Sequence, residues 1–211
     1  MRILCYGDSN TWGYISGTDH QRYDNKERWP KLLQKKLGDD YEIIEEGLNS
    51  RTLFTDDTRP GKEGRIGFEY LKPCLYTHDK VDIIILMLGT NELKDSFNNS
   101  ADNISKMLDK FISYITSFKS QIDGSSPALI LSGIPPIGEN IVFDNAANPK
   151  YKNAYSKAQE LIKLCKKYNN QDNLIYVDNS DLKTGIDCIH ITKESHAILA
   201  EKLYTIVKEK F

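Results

Sequence analysis

Four short segments of the chain hold the residue types that acyl-transfer chemistry uses. Gly7-Asp8-Ser9-Asn10-Thr11 supplies a hydroxyl, and Asp187-Cys188-Ile189-His190 supplies a carboxylate and an imidazole three residues apart. Gly47-Leu48-Asn49-Ser50-Arg51-Thr52 and Gly89-Thr90-Asn91-Glu92 supply amide donors. A serine hydroxyl attacks a carbonyl poorly unless an adjacent base takes its proton, and that base needs a partner to orient it. Charge developing on the carbonyl oxygen needs fixed donors. Each residue also has a plainer use. Gly-Asp-Ser-Asn is good turn chemistry. His190 can pack as a core histidine between Ile189 and Ile191, and Asp187 or Thr192 can cap a helix. Asn91 can satisfy a turn after Gly89, and Gly47 can be present for a positive φ.

These segments matter together only if the elements before them bring them to one place. Arg2 to Tyr6 reads as a first strand ended by Gly7, and Tyr41 to Glu45 as a second. Val81 to Leu88 is nearly all apolar, the pattern of a central strand buried on both faces. Ala128 to Ser132 and Leu174 to Val177 are two further short strands. Between them run helical periodicities. Trp29, Leu32, Leu33 and Leu37 are helically spaced, with Pro30 near the start and Gly38 past the end. Ile104 to Phe118 repeats apolar residues at three- and four-residue intervals. Helices are also expected around Tyr155–Tyr168 and over Thr192 to Lys208, with Thr192 as cap. Strands alternating with helices predict a three-layer α/β/α fold of the flavodoxin-like kind with a parallel five-stranded sheet, in one domain over residues 1–211. In such sheets ligands bind at the carboxyl ends of the strands, where all four segments fall. Thr55 to Gly67 is polar and reads as a long loop, a type that is often functional.

A formal net charge of −2 gives no electrostatic argument for a nucleic-acid or anionic-membrane partner. The longest apolar run, Ile83 to Leu88, is far short of the roughly 20 residues a bilayer requires. The residues before Ser9 leave no room for a signal-peptide core, and Cys5, Cys74, Cys165 and Cys188 are scattered. Buried thiols and a cytoplasmic location are the expectation. Other enzyme classes fit poorly. Gly133 to Gly138 has phosphate-loop spacing, but Glu139 replaces the lysine. His20, His78, His190 and His196 show no metal-ligand spacing, so no metal is expected. Thr11 stands where the α/β-hydrolase elbow has its second glycine.

Gly-Asp-Ser-Asn near the N-terminus, a glycine after strand two, Gly-Thr-Asn-Glu after strand three and Asp-x-x-His near the C-terminus resemble the four blocks of the SGNH (GDSL-like) hydrolases. The runs Glu46 to Thr52 and Leu86 to Lys94 are similar to the arylesterase and acyltransferase branch. The resemblance implies Ser9 as nucleophile, His190 as general base and Asp187 as its partner. It implies an oxyanion hole from the backbone N–H groups of Ser9 and Gly47 and the side-chain amide of Asn91. Asp8, Asn10 and Trp12 flank the nucleophile and are candidate substrate contacts, Trp12 lining the acyl pocket or packing in the core. Arg51 and Asp56-Asp57 read as a structural ion pair rather than substrate contacts.

The implied activity is hydrolysis, or acyl transfer, of short-chain carboxylic esters through an acyl-serine, on a small-molecule ester and with no cofactor. An acetyl-carbohydrate esterase or a catalytically weakened ester- or glycan-binding protein is the alternative. Related enzymes often form oligomers that narrow the site, so a homo-oligomer is compatible with the resemblance. Three positions depart from the family pattern: Asn10 where leucine is frequent, Glu92 for a more frequent aspartate, and Cys188 for glycine in the last block. A side chain at Cys188 is expected to strain that loop, tilting Asp187 from His190 or placing a thiol at the site.

Overall fold

The computed structural model describes residues 1–142, 149–170 and 174–211. Five strands, β1 (Arg2–Gly7), β2 (Glu42–Gly47), β3 (Ile83–Met87), β4 (Ala128–Ser132) and β5 (Leu174–Val177), form one sheet in the order β2-β1-β3-β4-β5. Every neighbouring pair is parallel, which is the doubly wound flavodoxin-like order expected of a βαβ chain. β3 lies at the centre and all five of its residues are buried, as its unbroken apolar run requires.

Alternation along the strands divides the core into two layers. Leu4, Tyr6, Ile84, Leu86, Leu129 and Leu131 face α3 (Gly67–Thr77), α4 (Ala101–Ser117) and α5 (Ala154–Cys165). Ile3, Cys5, Ile43, Ile83, Ile85 and Ile130 face α2 (Trp29–Leu37) and α6 (Lys193–Lys210). The shortest helix, α1 (Ser9–Trp12), is a single turn directly after β1. Element bounds shift by one to three residues: β1 includes Gly7, β2 begins at Glu42 and runs two residues further than the apolar pattern, to Gly47, β3 is shorter at both ends, and α5 ends at Cys165.

Helix α3 was not expected. α3 has Pro73 in its interior and no capping side chain at Ile66, two features that argue against a helix in isolation. It is held by burial of Leu71, Cys74 and Leu75 against the sheet, tertiary packing overriding local propensity. The last helix begins as anticipated: the Thr192 hydroxyl accepts the N–H of Ser195. All four cysteines are buried thiols. Among the described residues no helix is long and apolar enough to cross a membrane.

Candidate active site

The nucleophile candidate is placed by a tight exit from β1. Gly7 admits no side chain, since a Cβ would lie 2.1 Å from the Thr11 hydroxyl and 2.6 Å from the Met87 carbonyl. The chain can therefore turn at once into α1, where the Asp8 carboxylate accepts the N–H of Asn10 at 2.9 Å. Ser9 is the first residue of that helix, so its own N–H has no acceptor within the helix and is available to a ligand.

The Ser9 hydroxyl lies 2.9 Å from His190 Nε2, and His190 Nδ1 lies 2.7 Å from Asp187 Oδ2. The other carboxylate oxygen, Oδ1, accepts the backbone N–H groups of Ile189 (3.0 Å) and His190 (2.9 Å). Burial pushes the Asp187 carboxyl up, but the His190 ring and these two N–H groups outweigh it and hold the group well below the usual carboxylate range. Asp187 is thus ionised wherever the protein is folded under ordinary conditions. The Tyr14 ring stacks on the imidazole, centroids 4.3 Å apart, and the Ser16 hydroxyl accepts the Asp187 N–H at 3.0 Å.

Cys188 is the departure whose consequence the structure decides. Its φ is +62°, the left-handed region in which glycine is the ordinary occupant. The conformation is kept, and the strain does not reach the neighbours, because the Asp187–His190 bond has full strength at 2.7 Å. Room for the side chain comes from Gly138, where an added Cβ would lie 2.9 Å from the Cys188 sulfur. The sulfur faces that glycine, and Cys188 is not among the residues that line the cavity.

Ser9 and His190 open onto a cavity of about 210 Å³, lined also by Tyr14, Asn49, Ser50, Thr90, Asn91 and Tyr151. Asn91 sits in a 3₁₀ turn (Thr90–Leu93) after Gly89, whose φ of +133° suits glycine. The Tyr151 hydroxyl donates to Asn91 Oδ1 at 3.0 Å, which fixes the amide so that its NH₂ is the free end. Glu92 is fully buried behind it. One of its oxygens accepts the N–H groups of Leu53, Phe54 and Thr55, tying the long loop to this turn.

The expectation for Gly47 needs correction. The N–H groups of Glu42 and Leu48 bond toward β1, to the carbonyls of Met1, just before it, and Gly7, at its end. N–H direction alternates along a strand, so the Gly47 N–H points to the opposite side, away from Ser9. Gly47 is a glycine because α1 crosses it closely: a Cβ would lie 2.3 Å from the Trp12 nitrogen. The cavity wall after β2 is made instead by Asn49 and Ser50, with Ser50 at φ +66°.

Asp8, Asn10 and Trp12 likewise do not line the cavity. Asp8 is buried beneath α1, and burial raises its carboxyl to about 6. The Asn10 side chain clamps the far loop, donating to the Ile189 carbonyl (3.3 Å) and accepting the Ile191 N–H (2.9 Å). Trp12 lies under the Arg22 guanidinium, 5.0 Å from the ring centroid. Arg51 is structural and makes an ion pair, but with the Glu46 carboxylate (3.8 Å) rather than Asp56 or Asp57; it also donates to the Gly7 and Glu46 carbonyls and lies over the Tyr6 ring. Asp57 pairs with Arg59 and with Lys94. Sequence reasoning missed Tyr14, Ser50, Lys94 and Tyr151, of which only Ser50 and Lys94 lay within segments already singled out.

A doubly wound parallel sheet with a hydrogen-bonded serine–histidine–aspartate chain at its carboxyl edge defines a serine-hydrolase-like class. The sequence profile of the family described as GDSL-like Lipase/Acylhydrolase matches residues 3–203, and the chain belongs to that family, the SGNH hydrolases. Among solved structures it is similar to Est24, a carbohydrate acetylesterase from Sinorhizobium meliloti (29% identity, TM-score 0.90, covering 100% of this chain and 99% of that one). It is also similar to the M. smegmatis aryl esterase (27% identity, TM-score 0.86, coverage 100% and 99%). A lipase/acylhydrolase from Enterococcus faecalis shares the fold at 18% identity (TM-score 0.71, coverage 99% and 96%). Comparison with curated proteins gives no significant match.

Proposed function

We propose that the protein is a serine esterase that hydrolyses short-chain carboxylic esters, or transfers their acyl group, through an acyl-Ser9 intermediate. The observation that carries this reading is the Ser9–His190–Asp187 hydrogen-bond chain opening directly onto the cavity. His190 Nε2 takes the Ser9 proton as Oγ attacks the ester carbonyl, and Asp187 fixes the ring and stabilises the imidazolium. The negative oxygen of the tetrahedral intermediate is received by the N–H of Ser9, the N–H of Ser50 and the Asn91 amide. His190 then gives its proton to the departing alcohol. Water, or a second alcohol, attacks the acyl-serine by the same route in reverse. The chemistry needs no metal or organic cofactor.

A cavity of about 210 Å³ suits a small acyl group. The alcohol meets mostly polar side chains (Asn49, Ser50 and Thr90 among them), which favours a hydroxyl-bearing alcohol and keeps an acetylated carbohydrate as the second reading. The test is hydrolysis of p-nitrophenyl esters from acetate to decanoate by wild type and by Ser9→Ala. Rates should fall with acyl length, and Ser9→Ala should lower kcat by roughly 10³-fold or more while remaining folded. A folded Ser9→Ala protein that keeps more than about a tenth of the activity removes Ser9 from the mechanism.

A further inference from the structure

Four cationic side chains line the cavity of a protein whose formal net charge is −2. Arg59, Lys62, Lys94 and Lys150 all line it, and among the described residues no carboxylate does. Asp57 stands behind the cationic part of the wall. It accepts Arg59 Nε at 2.6 Å and Lys94 Nζ at 3.2 Å, so two cations share one carboxylate. Lys62 and Lys150 take part in no ion pair among the described residues. The crowding has an electrostatic cost. Burial lowers the Lys62 ammonium, and the charges of Arg59, Arg65 and Lys150 lower it further. Burial likewise brings Lys94 down to about 8 against the pull of Asp57. Like charges gathered at a concave, partly desolvated surface focus the field into it, and a bound anion relieves their repulsion.

We propose that the natural ester carries an anionic group, a carboxylate or phosphate, that binds Arg59, Lys62 and Lys150 while its acyl carbon faces Ser9. This rests on the esterase reading and names the substrate class of the same site. The cavity admits a small molecule, and the overall negative charge offers no extended attraction to a polyanion, so a small anionic ester is the fit rather than a nucleic acid or lipid surface. Lys94 is almost wholly buried and bonded to Asp57, which makes it a support of Asp57 and Arg59 more than a direct contact.

Two matched ester pairs isolate the charge. p-Acetoxybenzoate against its methyl ester places the charge on the alcohol side; p-nitrophenyl hydrogen adipate against p-nitrophenyl methyl adipate places it on the acyl side. At low salt, wild type should prefer the anionic member of at least one pair by about fivefold in kcat/KM, the scale of one or two partly exposed ion pairs. The preference should shrink toward one in the doubly substituted Lys62→Gln, Lys150→Gln protein, and again at about 0.5 M salt in wild type. A neutral member favoured in both pairs, or a preference that survives the double substitution, overturns the proposal. Binding reads the same wall without turnover, so a failed esterase reading and a failed anion site are separable. Benzoate should bind more tightly than benzamide to wild type and lose that advantage in the double variant; equal binding of the two overturns the proposal even if no ester is cleaved.

Discussion

On one side of the cavity, Ser9 and His190 rest on backbone pinned from several directions. Asn10 holds Ile189 and Ile191, Asp187 accepts two N–H groups of its own loop, and Ser16 accepts a third. On the other side, Arg59, Lys62 and Lys150 extend from connecting segments, and Asp57 pairs with Arg59 and Lys94 behind them. The first side has little freedom to vary because nucleophile, base and carboxylate must meet within a few tenths of an ångström. The second makes charge contacts that tolerate movement, and it is where substrate preference can change without loss of the reaction.

Substitutions on the two sides should therefore differ in kind. Asn91→Ala, which removes a donor from the growing oxyanion, should lower kcat by about 10²–10³-fold with little change in KM. A drop under about tenfold would take Asn91 out of the oxyanion hole. Asn10→Ala releases the 189–191 backbone and should lower kcat by about ten- to a hundredfold, on neutral and charged esters alike. A change confined to KM, or one that depends on substrate charge, would erase the distinction between the two sides.

The smallest effect concerns the support behind His190. His196, on α6, is fully buried; its Nδ1 accepts the Trp29 N–H at 3.2 Å, and Trp29 Nε1 donates to the Asn10 carbonyl. Burial lowers the His196 ring to about 3, with the charges of His190 and Arg28 adding to it. The folded protein keeps this ring neutral while the unfolded chain protonates it near pH 6.5. Stability from this residue is therefore intact above about pH 6.5 and is lost as pH falls toward 3. His196→Asn, whose side-chain oxygen can still accept from Trp29, should show a shallower loss of Tm between about pH 7 and 4. Equal slopes would mean that other groups govern the acid transition.

The same contrast explains what the sequence revealed. The meeting of Ser9, Asn91, Asp187 and His190 was legible because Ser9 and Asn91 follow β1 and β3 closely, Asp187 and His190 lie in the connection from β5 to α6, and strand ends of a parallel sheet converge. Gly47 was misread for a related reason: a glycine after a strand suits a donor, but the pleat sends its N–H to the outer edge while Ser50 reaches the wall. Asn10 sat beside the nucleophile, yet its partners are 179 and 181 residues away. The cationic wall draws on the Thr55 to Gly67 loop, the turn after β3 and the segment before α5, and no local pattern announces that they meet. Cys188 was expected to disturb the loop; the space left by Gly138, fifty positions earlier, lets it fit.

The central claim is that Ser9 is activated by His190 and Asp187. A fluorophosphonate probe followed by peptide mass spectrometry tests it without any assumption about the substrate. A single phosphonyl adduct on Ser9 in wild type, lost or greatly slowed in His190→Ala, is the predicted result. Failure of folded wild type to react, or an adduct that forms as fast in His190→Ala, would contradict it.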